Sequence, residues 1–261
     1  MSVLAFKERL WTAGGSGLEL DASSDGYRRW ESLPGSLRDQ HRTGWVRVVA
    51  AADSPVLGEL IVKTHVYPTA SDRRRGLFRN TVFARSRARC EAENLLELHR
   101  RQLNPPLLVA FGERRRGAVL HACFIATRFW PSTDLAHWLP EERDSTVRRQ
   151  TLEQLGCLVA RLHAAGYVDR DLHLRNILRS PDGVLAKIDC SRGRFGPRPF
   201  DRACLRDWSD LGGELERCLE DREKRVVVRA YLNHARANRA ARSVARRAAA
   251  RCRERRSPAR S

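Results

Sequence analysis

The order of apolar periodicities constrains this chain more than any other feature. Four β-rich runs fill its first half: "WVRVVAAA" (45–52), "ELIVKTHVY" (59–67), "PLLVAFGE" (106–113) and "AVLHACFIATRF" (118–129). A single amphipathic helix, "SRARCEAENLLELHRRQL" (86–103), lies among them, and the Pro-Pro at 105–106 stops it. The turn-prone "DSPVLG" makes the first two runs an antiparallel hairpin, and "RRRG" turns between the last two. From Trp130 the pattern becomes helical. "STDLAHWL" looks capped at its start, and "TVRRQTLEQLGCLVARLHAAG" (146–166) is a long helix ended by Gly166. A tight turn "SPDG", a short strand "VLAKIDC" (184–190) and the helices "RDWSDLGGELERCL" and "EKRVVVRAYLNHARA" follow. This order predicts an α+β fold with a β-rich N-lobe over 44–129 and a compact helical C-lobe over 130–235. Residues 1–43 read as a variable N-terminal segment with one strand-like stretch, "LELDA", and 236–261 as a basic Arg/Ala-rich tail.

Composition narrows the function classes. With 261 residues and 42% hydrophobic content the chain can bury a sizeable core. No apolar run reaches membrane-spanning length and the N-terminus lacks a signal peptide's apolar core, which predicts a cytoplasmic protein. Seven scattered cysteines without CxxC spacing fit reduced thiols, not a disulfide framework or a zinc site. The formal charge of +18 calls for an anionic partner: nucleic acid, a membrane surface or a phosphorylated glycolipid. From Arg236 onwards ten arginines face one acid, Glu254, and seven arginines between Arg73 and Arg89 face none. A codon bias towards arginine is the plainer explanation of the tail. That bias has a use, because only four of 49 basic residues are lysines: Lys7, Lys63, Lys187 and Lys224. A lysine kept inside an apolar strand becomes a candidate for a specific task.

One stretch, "GYVDRDLHLRNIL" (166–178), interrupts an apolar segment with three charges. Phosphoryl transfer from ATP needs a cation on the phosphates, a carboxylate for the accepting hydroxyl, and two oxygen ligands for Mg2+. Asp171 and Asn176 have the D-x-x-x-x-N spacing of a kinase catalytic loop, the first for the hydroxyl and the second for metal. Asp189, at the end of "AKID", stands where a second metal-binding carboxylate belongs. Lys63 sits in a strand from which a lysine reaches the α- and β-phosphates, and Glu91 on the next helix can pair with it, although Glu93 competes. Each element has an ordinary reading: an Asx turn, an edge lysine, a solvated helix face, a turn aspartate. Their order along the chain gives them joint weight. His163, His173 and Cys190 lack ligand spacing and read as packing and loop residues.

"LHAAGYVDRDLHLRNILRSPDGVLAKIDCSRGRF" resembles the catalytic segment of protein-kinase-like enzymes, most closely the lipopolysaccharide core kinases that phosphorylate heptose or Kdo. "IVKTHVY" resembles that family's lysine strand, and "SRARCEAENLLEL" its R-A-x-x-E-x-x-N-L-L helix, which favours Glu91 over Glu93. "IDCSRGRF" and "RDWSDLG" are similar to its I-D-x-x-R and R-D-L-x-x-L segments. The resemblance covers about residues 40–215. It implies a kinase-like fold, ATP and magnesium as cofactors, and an envelope sugar or anionic glycolipid as acceptor. Only about 45 residues separate Asp189 from the tail, too few for a long activation segment and a protein-substrate platform.

Two departures stand out. Asp169 occupies the place of the histidine that usually braces such a loop, and a structural consequence is expected. The segment before Trp45, "SLRDQHRTG", offers Gly44 alone where a glycine-rich nucleotide loop is usual, with Arg38 or Arg42 placed to compensate. The rival readings are a kinase-like phosphotransferase with another acceptor, a pseudokinase, or a basic nucleic-acid-binding protein. Nucleic acid is disfavoured because the tail carries no aromatic residue on which bases could stack. The arginines of 73–89 suggest peripheral contact with the inner face of the cytoplasmic membrane.

Overall fold

The structure, a computed structural model, describes residues 6–14, 17–21, 24–41, 43–53, 58–75, 82–196 and 203–234. The chain divides into two compact units, residues 1–99 with 106–130, and residues 100–105 with 131–261.

The first unit is one antiparallel sheet in the order β2-β1-β6-β7-β5-β4-β3. Its strands are β1 (Phe6–Gly14), β2 (Gly17–Asp21), β3 (Ser36–His41), β4 (Gly44–Val49), β5 (Leu60–Val66), β6 (Leu108–Arg116) and β7 (Val119–Arg128). Three helices accompany it: α1 (Ser24–Glu31), α2 (Ala70–Arg75) and α3 (Arg87–Arg100). The expected hairpin is β4–β5, with Val46 opposite Lys63. The "LELDA" stretch falls in β2, but β1, α1 and β3 add to what the sequence predicted. β1 carries charges at Lys7, Glu8 and Arg9, so its period-two signal is weak. It is specified by non-local pairing with β6, where Trp11 stacks on Phe111 with ring centroids 4.6 Å apart. β3 is an exposed edge strand with little apolar content, which hides it from a hydrophobicity reading.

The core between α1 and the sheet contains Leu10, Tyr27, Val49, Leu60, Val62 and Phe124, with Trp30 stacked on Phe124. Because strand side chains alternate, Val62 enters this core and Lys63 points to the other face. There α3 packs, burying Ala88, Glu91, Ala92, Leu95 and Leu98. The predicted turn "RRRG" is tighter than expected, since Arg114 to Arg116 stay in β6 and Gly117 alone takes a positive φ of 57°. Arg115 is held there by Glu113 at 2.8 Å and by the carbonyl of Ala84 at 2.8 Å, while the Arg114 guanidinium lies 5.7 Å from the centroid of the Tyr27 ring.

The second unit is mainly helical, with α4 (Leu135–Glu141), α5 (Ser145–Ala164), α6 (Cys204–Cys218) and α7 (Asp221–His234). Its short strands are β8 (Thr133–Asp134), β9 (Tyr167–Val168), β10 (Ile177–Arg179), β11 (Leu185–Lys187) and β12 (Arg194–Phe195), forming a β11-β10-β8 sheet and a β12-β9 pair. Asp134 caps α4 by accepting the His137 N–H, and Asp144 caps α5 by accepting those of Thr146 and Val147. α5 ends as predicted, with Gly166 at φ 76°. Among the described residues no helix is long and apolar enough to cross a membrane. The expected basic tail lies outside the described residues.

α5 and α7 pack closely because residue 156 has no side chain. A Cβ at Gly156 would lie 2.3 Å from the Val227 carbonyl oxygen and 2.8 Å from the Ala230 Cβ. Gly156→Ala is therefore expected to lower unfolding stability by about 1–3 kcal/mol, despite alanine's better helix propensity. Chemical denaturation checks this; wild-type stability or better would show that α7 shifts freely.

Candidate active site

In the first unit the sequence-predicted lysine and glutamate meet. Lys63 Nζ donates to Glu91 Oε1 at 3.1 Å and Oε2 at 3.4 Å, so the carboxylate holds the ammonium through both oxygens. Glu93, the competitor, belongs elsewhere: Arg85 donates to it at 2.6 Å and Arg89 at 2.9 Å. Two positions along α3 separate the two roles. Glu91 lies on the buried stripe of α3 and Glu93 on its half-exposed flank. β3 and β4 pair as far as His41 opposite Gly44, a short hairpin in place of a glycine-rich flap. Arg38 is an exposed residue of β3; Arg42 lies outside the described residues.

In the second unit two carboxylates of α6 carry the loop between β9 and β10. Asp207 is almost fully buried, and its two oxygens accept consecutive backbone N–H groups: Asp169 N to Oδ2 and Arg170 N to Oδ1, both at 2.8 Å. This clamp holds Arg170 in the left-handed conformation, φ 64°, which a non-glycine residue rarely adopts. Seven residues on, and so on the same helix face, Glu214 accepts the Leu174 N–H at 2.6 Å and meets His173 Nδ1 at 2.9 Å. His163 supports Asp207 from behind, with Nε2 3.3 Å from Oδ2 and Nδ1 3.0 Å from the Tyr231 hydroxyl. His163 and His173 are thus packing and loop residues.

Asp169, the residue in place of the bracing histidine, is fully buried and ion-paired with Lys187. Lys187 Nζ lies 3.0 Å from Asp169 Oδ2, and both side chains are 1% exposed. The ammonium aligns its hydrogen bond on the Ile188 carbonyl, so the contact to Oδ2 is held by charge more than by hydrogen-bond geometry. Tyr167 donates its hydroxyl to the other oxygen at 3.2 Å. Burial pushes the Asp169 carboxyl up to about 6 against the pull of Lys187. For Lys187 burial acts to discharge the ammonium, but the charge of Asp169 outweighs it and the pKa rises. Gly193 leaves room for this arrangement, since a Cβ there would lie 1.9 Å from the Tyr167 hydroxyl oxygen.

Asp171, Asn176 and Asp189 come together on adjoining pieces of backbone. Asn176 donates from Nδ2 to the Asp171 carbonyl at 3.0 Å, which leaves its Oδ1 as the atom able to face a cation. The Ile188 N–H donates to the Asn176 carbonyl at 3.0 Å and Ile177 pairs with Lys187, so Asp189 leaves β11 beside Asn176. Asp189 is itself left-handed, φ 53° and ψ 58°. The Asp171 carboxylate is engaged at Oδ1 by Arg192 at 3.0 Å and by His173 Nε2 at 3.6 Å, and at Oδ2 by a longer contact from Asn176 Nδ2 at 3.5 Å. Among the described residues no three His, Cys, Asp or Glu side chains gather as a metal cage.

A β-sheet unit with a helix-paired lysine, followed by a helical unit with a D-x-x-x-x-N loop, is the plan of protein-kinase-like phosphotransferases. The sequence profile of the lipopolysaccharide kinase (Kdo/WaaP) family matches residues 40–231, and the chain belongs to that family. Its class is therefore that of the kinases. No curated protein sequence matches the chain. A solved structure described as "WaaP in complex with acyl carrier protein" has the same fold, with a TM-score of 0.63 at 20% identity over 88% of this chain and 92% of that one.

In the sequence Lys187 stands out only as one of four lysines, Asp207 and Arg192 only inside family-like segments, and neither these three nor Glu214 carries a predicted role. Two signals were present. The rarity of lysine marks Lys187 as it marks Lys63, and Asp207 and Glu214 have the spacing of two turns on one helix face. The loop clamp makes a stability prediction. Asp207→Ala, which orphans two buried N–H groups, is expected to cost about 3 kcal/mol, whereas Glu93→Ala should stay within about 0.5 kcal/mol because its pairs are at the surface. Denaturant midpoints check the contrast; equal costs would contradict it.

Proposed function

We propose that this chain transfers the γ-phosphoryl group of ATP to a sugar hydroxyl of the lipopolysaccharide inner core, on heptose or Kdo. The observation that carries the reading is the clamped loop, which sets Asp171, Asn176 and Asp189 on adjoining backbone in a member of a kinase family. Lys63, fixed by Glu91, binds the α- and β-phosphates as a point charge. Asn176 and Asp189 supply two oxygens to a hard cation that takes its other ligands from phosphates and water, which suits magnesium. When bound, Mg2+ neutralises the charge developing on the transferred group. Asp171 orients the accepting hydroxyl and receives its proton. Its Oδ1 is occupied by Arg192 and His173, so Oδ2, which meets only the 3.5 Å contact from Asn176 Nδ2, is the oxygen for that task.

The surplus of positive charge fits an anionic acceptor at the inner face of the cytoplasmic membrane. Part of the 73–89 cluster is internally engaged, because Arg73 donates to the Tyr67 and Pro68 carbonyls and Arg85 and Arg89 share Glu93. Arg87 stays exposed at the start of α3. The lipid contact therefore depends on fewer arginines than the sequence count, each contributing about 1 kcal/mol.

Two measurements check the proposal. ATP turnover with a panel of inner-core oligosaccharides is expected to fall at least about 100-fold in Asp171→Ala, and equal turnover by both proteins would end the assignment. Flotation with liposomes should show binding to anionic and not to neutral lipid; equal binding to both would remove the membrane contact.

A further inference from the structure

We propose that Asp169 and Lys187 form a positioning pair that fixes the spacing between the hydroxyl-orienting carboxylate and the metal-binding strand. The inference rests on the roles proposed above for Asp171 and Asp189. Each partner stands two residues before one of them: Asp169 before Asp171, and Lys187 before Asp189. The pair ties the loop after β9 to the end of β11 across 3.0 Å, inside a site where both side chains are 1% exposed.

Other contacts tie the near end of the loop to the segment beyond Asp189 and not to β11: β12 pairs with β9, and Arg192 donates to Asp171 at 3.0 Å. Asp207 fixes Asp169 and Arg170 to α6, and Glu214 fixes the loop at Leu174, but neither touches β11. β10 ties Asn176 to Ile188 from the far side of the loop. The Asp169–Lys187 contact is what joins the near end of the loop to β11. A charge is retained there despite the desolvation it costs, in a chain that uses lysine at only four positions. The neighbours make the cavity specific for it. Tyr167 satisfies the second Asp169 oxygen, the Ile188 carbonyl accepts from Lys187, and Gly193 keeps the space above Tyr167 clear. A buried acid in the histidine's place thus comes with its own counter-ion, and brace and strand are held by one interaction.

The experiment compares wild type, Lys187→Met and the double variant Asp169→Asn with Lys187→Met. Readouts are kcat and KM for ATP with inner-core oligosaccharide, and amide hydrogen exchange over 166–178 and 184–190. Lys187→Met leaves a buried carboxylate unpaired and is expected to be the less stable protein. The double variant removes both charges and keeps the test open if the single one fails to fold. In the double variant kcat should fall about 10- to 100-fold, the loss that misplacing a catalytic group by roughly 1 Å causes. KM for ATP should hold within about twofold, because Lys63 and Glu91 are untouched. Exchange should quicken in both segments and not in α5. A double variant with wild-type kcat, or with wild-type exchange in both segments, overturns the pair's role. If wild type itself moves no phosphoryl group from ATP to any acceptor, the proposed function fails, and hydrogen exchange alone still decides whether the pair holds the loop.

Discussion

Asp207 is the fulcrum of the helical unit. One buried carboxylate accepts two successive backbone N–H groups at 2.8 Å each, and this pair of hydrogen bonds holds the loop through a left-handed residue. Without that constraint Arg170 would relax towards right-handed conformations and Asp171 would leave its place. The remaining supports follow from it. Glu214 takes the Leu174 amide, His163 backs the Asp207 carboxylate, and Asn176 closes the loop on the Asp171 carbonyl. A charge-assisted acceptor for buried N–H groups is worth more than a neutral one, which explains why α6 carries acids on a face that packs inward.

The scarcity of lysine gains meaning from the structure. The three lysines whose side chains are described all make ion pairs: Lys63 with Glu91, Lys187 with Asp169, and Lys224 with Glu216 and Asp221. Arginine would serve poorly at position 187. Its planar fork has five N–H donors, and a site offering one carboxylate and one carbonyl would leave several of them buried and unpaired. A compact ammonium with three donors fits. The same reasoning applies to Lys63, where a compact ammonium meets both oxygens of Glu91 without a fork.

Much of this was legible in the sequence where the signal is local. The β4–β5 hairpin, α3, the long α5, the Gly166 stop and the SPDG turn follow from periodicity, caps and turn residues, which act over a few positions. The pairing of Lys63 with Glu91 came from order along the chain and from the family resemblance, and the buried stripe of α3 separates Glu91 from Glu93. Non-local features were hidden. β1 takes its place by pairing with β6 a hundred residues away, and its charged first half masks the alternation. Asp169 looked like an anomaly because its partner lies eighteen residues on, in a strand of three residues too short to show a pattern. Burial of a charge is a tertiary fact, and composition can only hint at it.

The proposed function requires the two separately braced groups of side chains to serve one phosphoryl transfer. A crystal structure with a non-hydrolysable ATP analogue, magnesium and an inner-core oligosaccharide tests this most directly. The account predicts Lys63 on the α- and β-phosphates, Asn176 and Asp189 on the metal, and a sugar hydroxyl within hydrogen-bond reach of Asp171. A nucleotide whose metal rests on other side chains, or an acceptor hydroxyl far from Asp171, would contradict it.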